Sequence, residues 1–280
     1  MNEGAHDRHD IEAFVTRVMS HADELYRDFT WRTTTDPYAI WLSEVMLQQT
    51  QVVRVISYFD RWMRRFPTVD ALASASTSDV LESWQGLGYN RRALMLKRAA
   101  EIISTHYDGI FPDTYAELVT LPGIGPATAA GILAFAFNTP APYLETNVRT
   151  VVLHELFPDE TDVSDRDVRL IVEQASEASA EAGIDPRRWN YALLDYGAWL
   201  KKTFSNPSRR SKHHTRQSTF EGSRRQKRAA LLRLVLDTPG LSADAYADLS
   251  GYDPEIVADI LADLTTERFL RNIDDRYQVD

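Results

Sequence analysis

The chain has 280 residues and no cysteine, with 31 basic against 41 acidic side chains and a formal net charge of −10. Its length predicts two or three structural units, and the 44% hydrophobic and 26% charged fractions are ordinary for a globular protein. No apolar run approaches the roughly 18 residues that span a bilayer, and the opening MNEGAHDRHDIEAF lacks the apolar core of a secretory signal, so the expected location is the cytoplasm. The missing cysteines also remove disulfides, thiol nucleophiles, zinc fingers and thiolate-held iron–sulfur clusters.

Apolar residues recur at helical spacing over 11–26, 40–59, 80–84, 93–106, 115–121, 127–137, 168–182 and 189–200. Short turns separate them: Asp36-Pro37, Gly86-Leu87-Gly88, Pro122-Gly123-Ile124-Gly125-Pro126 and Asp185-Pro186. Strand-like alternation is scarce before residue 265, so an all-α body of about 200 residues is expected. There is no repeat at solenoid spacing.

Residues 201–228 hold ten Lys or Arg and one acid, Glu221, which makes this stretch +9 on a body that sums to −19. A basic strip rich in Ser, Asn and Thr is a linker that lies along a polyanion, or else a solvated hinge. Beyond it, the segments RRQKRAALLRLVLDT, SADAYADLS, DPEIVADILADLTTE and FLRNIDDRYQV predict three helices and a short hairpin, a winged-helix-like module at 229–280. Its third helix presents Asp253, Glu255, Asp259 and Asp263 with no base before Arg268, and phosphate would repel it. The module is therefore expected to pack or to contact a protein partner.

The segment 121–129, LPGIGPATA, places a glycine hairpin between two helices. Gly123 and Gly125 permit positive φ, and Pro126 suits the first helical position. Unpaired amides of the hairpin and of the helix start then point outward together, with Thr128 in the first turn, and bind a phosphate oxygen without reading sequence. Upstream, WLSEVMLQQTQV (41–52) predicts a helix with Glu44 and Gln48 four apart on one apolar face. Downstream, APYLETNVR (141–149) puts Glu145 and Asn147 in the connection to the next helix. Two acids flanking a phosphate-binding hairpin suit glycosidic chemistry; they equally suit a salt bridge and a helix cap.

Together these segments, with YFDRWMRRFPTVDALA, WQGLGYNRRA and LETNVRTV, resemble the helix-hairpin-helix (HhH-GPD) DNA glycosylase superfamily and, within it, the MutY-type adenine glycosylases. The resemblance runs from Trp31-Arg32 to Gly197. It implies an all-α, two-domain helical fold: 1–34 with 148–200 as a flanking domain, 35–147 as a helical barrel carrying the hairpin at 121–133, then the basic strip at 201–228 and the tail module. It implies that Glu44 matches the family's catalytic glutamate, that Asn147 matches its asparagine, and that Glu145 falls where the family carries a catalytic aspartate. An N-glycosidic bond breaks with cationic character on the sugar while the base leaves as an anion unless protonated, so one carboxylic acid and one carboxylate serve both needs. Glu44 as the acid needs a raised pKa, and Glu145 as the stabiliser needs to stay ionised.

The base must first be flipped from the duplex. Tyr89 is the candidate wedge, and Gln48, Gln49 and Thr50 are candidates for reading the opposite base or lining the pocket. Ala127 stands where strand-cutting relatives carry a Schiff-base lysine, so a monofunctional enzyme is expected. The partner implied is double-stranded DNA with a mismatch or lesion.

Three departures accompany the resemblance. The four cysteines that hold a [4Fe–4S] cluster in typical members are absent, so no cofactor is expected, and Arg209, Arg210 and Lys212 are expected to take over phosphate contact. Glu145 adds a methylene relative to aspartate and moves the carboxylate by roughly an ångström, a displacement that can cost about 100-fold in rate. The usual domain that reads 8-oxoguanine is replaced by the acidic tail module. Adenine opposite guanine or 8-oxoguanine is the expected substrate; thymine, uracil or a modified base, and a non-catalytic DNA-binding role, remain open.

Overall fold

The computed structural model describes residues 7–160, 162–204 and 220–280. It is an all-α fold with one small hairpin, as the periodicity predicts. The described residues fall into two compact units, one made from 1–44 and 111–216, the other from 45–110 and 217–280.

The first unit contains α1 (Arg8–Ser20), the start of α2 (Pro37–Leu47), the short α7 (Tyr115–Leu118), α8 (Pro126–Phe135), α9 (Thr146–Glu155), α10 (Asp165–Glu181) and α11 (Pro186–Thr203). Helix α8 buries every residue from Thr128 to Phe135, as a helix apolar on all sides must. Helix α9 packs along α11, and Val148, Val151 and Val152 of the one and Trp189, Leu193 and Leu200 of the other are buried. Helices α1 and α10 pack together, and the Phe14 ring meets Trp189 edge-on at 6.2 Å. Gly197 lets α11 approach the start of α9 so closely that a Cβ there would strike the Asn147 carbonyl.

The second unit contains the end of α2, then α3 (Val52–Arg65), α4 (Val69–Ser74), α5 (Thr77–Trp84), α6 (Arg91–His106), α12 (Arg224–Asp237), α13 (Ala243–Ser250), α14 (Pro254–Thr266) and the strands β1 (Leu270–Ile273) and β2 (Arg276–Val279). Trp62 and Trp84 meet at 5.4 Å in its core, beside Val55, Leu72 and Ile103. β1 and β2 pair antiparallel, Leu270 opposite Val279, across Asp274 and Asp275, which both take positive φ as a tight two-residue hairpin requires. Three helices and a hairpin are the elements predicted for the tail. Of the acids named on its third helix, Asp259 and Asp263 are held by Arg224, each at 2.6 Å, and Asp253 caps α14.

Two expectations are corrected. The run read as continuous over 40–59 breaks after Leu47, because Gln49 turns into the left-handed region at φ 52° before Gln51 starts α3. Gln48 is therefore exposed in a turn rather than on the helical face below Glu44. Of the hairpin glycines, only Gly123 has positive φ, at 78°; Gly125 is extended at φ −90° and serves as the N-cap of α8.

Candidate active site

Glu44 lies in the last turn of α2, two residues after the buried Leu42. Tyr143, in the segment before α9, is buried and donates its hydroxyl to Glu44 Oε2 over 2.9 Å. The Tyr143 ring is fixed by Phe135, which it meets edge-on at 5.3 Å. Gly131, on α8, completes the enclosure: a Cβ there would lie 2.5 Å from Glu44 Oε2 and 2.9 Å from its Cδ. The apolar helix that follows the glycine hairpin thus forms one wall of the Glu44 site, and glycine at 131 leaves room for the carboxyl.

Loss of water at this site pushes the Glu44 carboxyl up to about 8. The Tyr143 hydroxyl pulls it back down, Glu145 raises it further by like charge, and the Arg32 guanidinium lowers it. Near neutral pH Glu44 is therefore largely a neutral acid with a proton to give. Tyr143 itself is held well above the usual phenol range by burial and by the two carboxyls, so it stays a donor.

Glu145 is the N-cap of α9. Its Oε1 accepts the Asn147 amide at 2.6 Å and the Val148 amide at 3.3 Å. The capping alternative is thus realised in the fold, and it does not preclude a chemical one, because the carboxylate remains beside Glu44. Burial raises the Glu145 carboxyl above its ordinary value, while Lys201 and the Asn147 and Val148 donors oppose the rise. Lys201, half-buried near the end of α11, is itself lowered by burial and supported by Glu145. In a pair of neighbouring carboxyls the first proton goes to the one with fewer donors. That is Glu44, which has the Tyr143 hydroxyl, whereas Glu145 has two amides, the Asn147 side chain and a nearby ammonium.

Beneath this cluster, Arg32 is buried and forks onto Asp195, Nη1 to Oδ2 at 2.7 Å and Nη2 to Oδ1 at 2.9 Å; Arg27 Nε adds a bond to Oδ1 at 2.6 Å. A bidentate fork of this kind offsets part of the desolvation of the charges and fixes the segment that bears Trp31 and Arg32, while the buried Arg32 Nε makes no hydrogen bond.

The other residues singled out by sequence divide as follows. Gly123 and Gly125 are exposed at the hairpin, and nothing lies within 4 Å of a Cβ built on Gly125. Thr128 is only 6% exposed, so its side chain faces the core and only its amide belongs to the open first turn. Gln48, Gln49, Thr50 and Tyr89 lie in the second unit, on two turns joined by the Arg92 guanidinium. Arg209, Arg210 and Lys212 fall outside the described residues. Among the described residues no group of three or more His, Asp or Glu is placed to hold a metal ion.

Sequence reading missed Tyr143, Gly131, Lys201 and Arg92. A glycine inside the apolar run ATAAGIL was a usable signal for a close approach. Lys201 was absorbed into the basic strip, although it sits on the face of α11 that meets α9.

Residues 42–177 match the HhH-GPD superfamily base excision DNA repair protein family. The adenine DNA glycosylase of Mycobacterium tuberculosis is 43% identical over 138 residues, covering 49% of this chain and 45% of that protein. That of Buchnera aphidicola is 36% identical over 170 residues, covering 61% of this chain and 47% of the relative. The chain thus spans about half the length of these relatives. A solved thermostable thymine-DNA glycosylase aligns with a TM-score of 0.60 at 24% identity, over 68% of this chain and 87% of that one, a likeness of fold. Among the described residues no helix is long and apolar enough to cross a membrane.

Proposed function

Because the chain belongs to the HhH-GPD superfamily of base excision DNA repair proteins and finds adenine DNA glycosylases among its relatives, we propose that it is a DNA glycosylase that hydrolyses the N-glycosidic bond of an adenine mispaired with guanine or 8-oxoguanine. The observation that carries this reading is the Glu44 carboxyl, raised to about 8 beside a second carboxyl that is capped by amides and faced by an ammonium. Burial raises both acids, and the donors and ammonium that oppose the rise at Glu145 favour Glu44 as the proton donor and Glu145 as the anion.

The duplex docks by its phosphates on the open amides of Gly123, Gly125 and the α8 start, with the Arg209, Arg210 and Lys212 strip adding sequence-independent contact. Tyr89 fills the space left by the flipped base. Glu44 gives its proton to a ring nitrogen of adenine, so the base leaves neutral. Glu145, whose ionised form Lys201 and the two amides favour, stabilises the cationic sugar until water adds at C1′ and loses a proton to a carboxylate. Asn147 holds Glu145 in place. Ala127 offers no amine for a Schiff base, so the product is an abasic site in an unbroken strand. The chain has no cysteine to supply thiolates, so a [4Fe–4S] cluster does not fit it and no step is assigned to one.

A second reading keeps the chemistry and changes the base to thymine, uracil or a modified base. Glu145 in place of aspartate favours it, since the carboxylate that faces the sugar is one methylene longer.

Glu44→Gln tests whether the chain is an enzyme. The variant should still bind duplex within a few-fold of wild type while excision falls at least about 1,000-fold, within the range that general acid catalysis supplies. Undiminished turnover in the variant would remove Glu44 from the chemistry, and wild type without turnover on any mispair would leave only DNA binding.

A further inference from the structure

In the second unit, the turns at 48–50 and 88–89 each put an exposed residue without glycine's freedom into left-handed backbone, Gln49 at φ 52° and Tyr89 at φ 51°. Such conformations cost of order 1 kcal/mol each and persist only where the surroundings over-determine them. Here one side chain does so for both. Arg92, at the start of α6, sends Nη1 to the carbonyls of Val45 at 2.7 Å, Met46 at 3.1 Å and Gln48 at 2.6 Å. Its Nη2 reaches Thr50 Oγ1 at 3.1 Å and the carbonyls of Gly88 at 3.0 Å and Leu87 at 3.4 Å.

One guanidinium therefore serves six acceptors, four in the 48–50 turn or the helix end leading to it and two in the turn before Tyr89. The geometry uses what distinguishes arginine from lysine, a planar fork whose two ends point to different partners. The Arg92 charge also lies 5.1 Å from the Trp84 ring and 5.6 Å from that of Tyr89. Burial lowers Arg92 only to about 10, so it is charged throughout the neutral range. The loop is further seated by Trp84 Nε1 on the Gly88 carbonyl at 3.0 Å and by Tyr58 on the Gln85 carbonyl at 2.6 Å.

What this scaffold presents outward is a polar turn, Gln48-Gln49-Thr50, and an aromatic ring that is 41% exposed, with Arg225 of α12 at 3.5 Å from its hydroxyl. An exposed tyrosine backed by cations is a stacking surface for an unpaired base, and amide side chains bond to base edges. We infer that Arg92 is a positioning residue that locks the 48–50 turn and the Tyr89 turn into one rigid probe, so that the ring enters a duplex and the glutamines meet the bases beside the gap in a single step. This inference rests on the glycosylase reading above and specifies how that enzyme opens DNA.

Arg92→Lys keeps the charge but cannot reach both turns, and its melting temperature shows whether the fold is kept. The probe is a duplex with 2-aminopurine opposite guanine, whose fluorescence rises when the base unstacks, measured alongside single-turnover excision of adenine. With the melting temperature unchanged and duplex binding within a few-fold, Arg92→Lys should lose the fluorescence rise and slow excision by about 10- to 100-fold, as loss of positioning does. Tyr89→Ala should lose as much, and the double variant no more than either, because coupled residues are not additive.

Full fluorescence and full rate in Arg92→Lys, with an active wild type, would overturn the clamp and leave the glycosylase reading intact. So would additive losses in the double variant. A wild type that unstacks the base, loses this on Arg92→Lys and yet excises nothing would uphold the clamp and overturn the glycosylase reading. A wild type that neither unstacks nor excises would overturn both. If Arg92→Lys does not fold, the same comparison is made with Thr50→Val, which removes one Nη2 acceptor and should give a smaller loss in the same direction.

Discussion

The Tyr143 hydroxyl donates to Glu44 Oε2 over 2.9 Å, and this bond keeps a half-buried carboxyl within reach of neutral pH. Burial alone would drive Glu44 further toward the neutral form; a donor aimed at the carboxylate favours the ionised one. The balance leaves Glu44 protonated at neutral pH yet able to part with its proton. Excision should therefore decline as pH rises through about 8. In Tyr143→Phe the donor is gone, the Glu44 carboxyl rises further, and the alkaline limb of the rate profile should move up by roughly one unit, the scale of a hydrogen bond to a charged group. An unmoved limb would show that another group sets it.

Lys201 acts on the other limb. Its ammonium lowers Glu145, so Lys201→Gln should raise Glu145 and shift the acidic limb of the single-turnover profile to higher pH, with less effect on the alkaline limb. Equal displacement of both limbs would mean that the two carboxyls titrate as one inseparable pair.

Glu44 also carries a stability cost. Its folded value lies above the unfolded one, so the folded state binds the extra proton, and stability falls as pH rises from about 4.5 to about 8 and then levels off. Glu44→Gln removes that loss while retaining an acceptor for Tyr143. Chemical denaturation at pH 9 should find the variant more stable by about 1–3 kcal/mol, with the difference fading toward pH 4. A variant less stable at pH 9 would show that Glu44 is held by contacts stronger than its desolvation.

Gly131→Ala should reverse the usual helix preference. Alanine is favoured over glycine within a helix by about 1 kcal/mol, yet at this position the methyl would press on Glu44. The expected outcome is a loss of about 1–3 kcal/mol, as for overpacking, together with a large fall in excision and unchanged duplex affinity. Gain of stability with full activity would show that α8 can retreat at no cost.

Much of the fold was legible in sequence because periodicity and turn chemistry agreed: the Asp185-Pro186 start of α11, the Pro126 start of α8 and the tail's three helices and hairpin stand where they were read. The break after Leu47 was not legible, since Gln48-Gln49 carries no turn residue. Its left-handed step is imposed by Arg92 from 44 residues further along the chain. The site was half legible. Glu44 stood out as an acid on an apolar helical face, and Glu145 as a second acid on the far side of the glycine hairpin. Tyr143 and Lys201 did not, because an aromatic in an apolar segment and a lysine beside a basic strip are ordinary until the fold shows what they face. The cut between the compact units, just after Glu44 and inside α2, is a property of long-range packing that no local pattern reports.

The most direct measurement is a single-turnover cleavage assay, with and without alkali, on duplexes carrying adenine opposite guanine, adenine opposite 8-oxoguanine, and thymine or uracil opposite guanine. Release of adenine, giving strands that break only after alkali and a rate that falls above about pH 8, is the result expected from a protonated Glu44 beside an ionised Glu145. Retention of adenine while thymine or uracil leaves, or strand breaks without alkali, would contradict it.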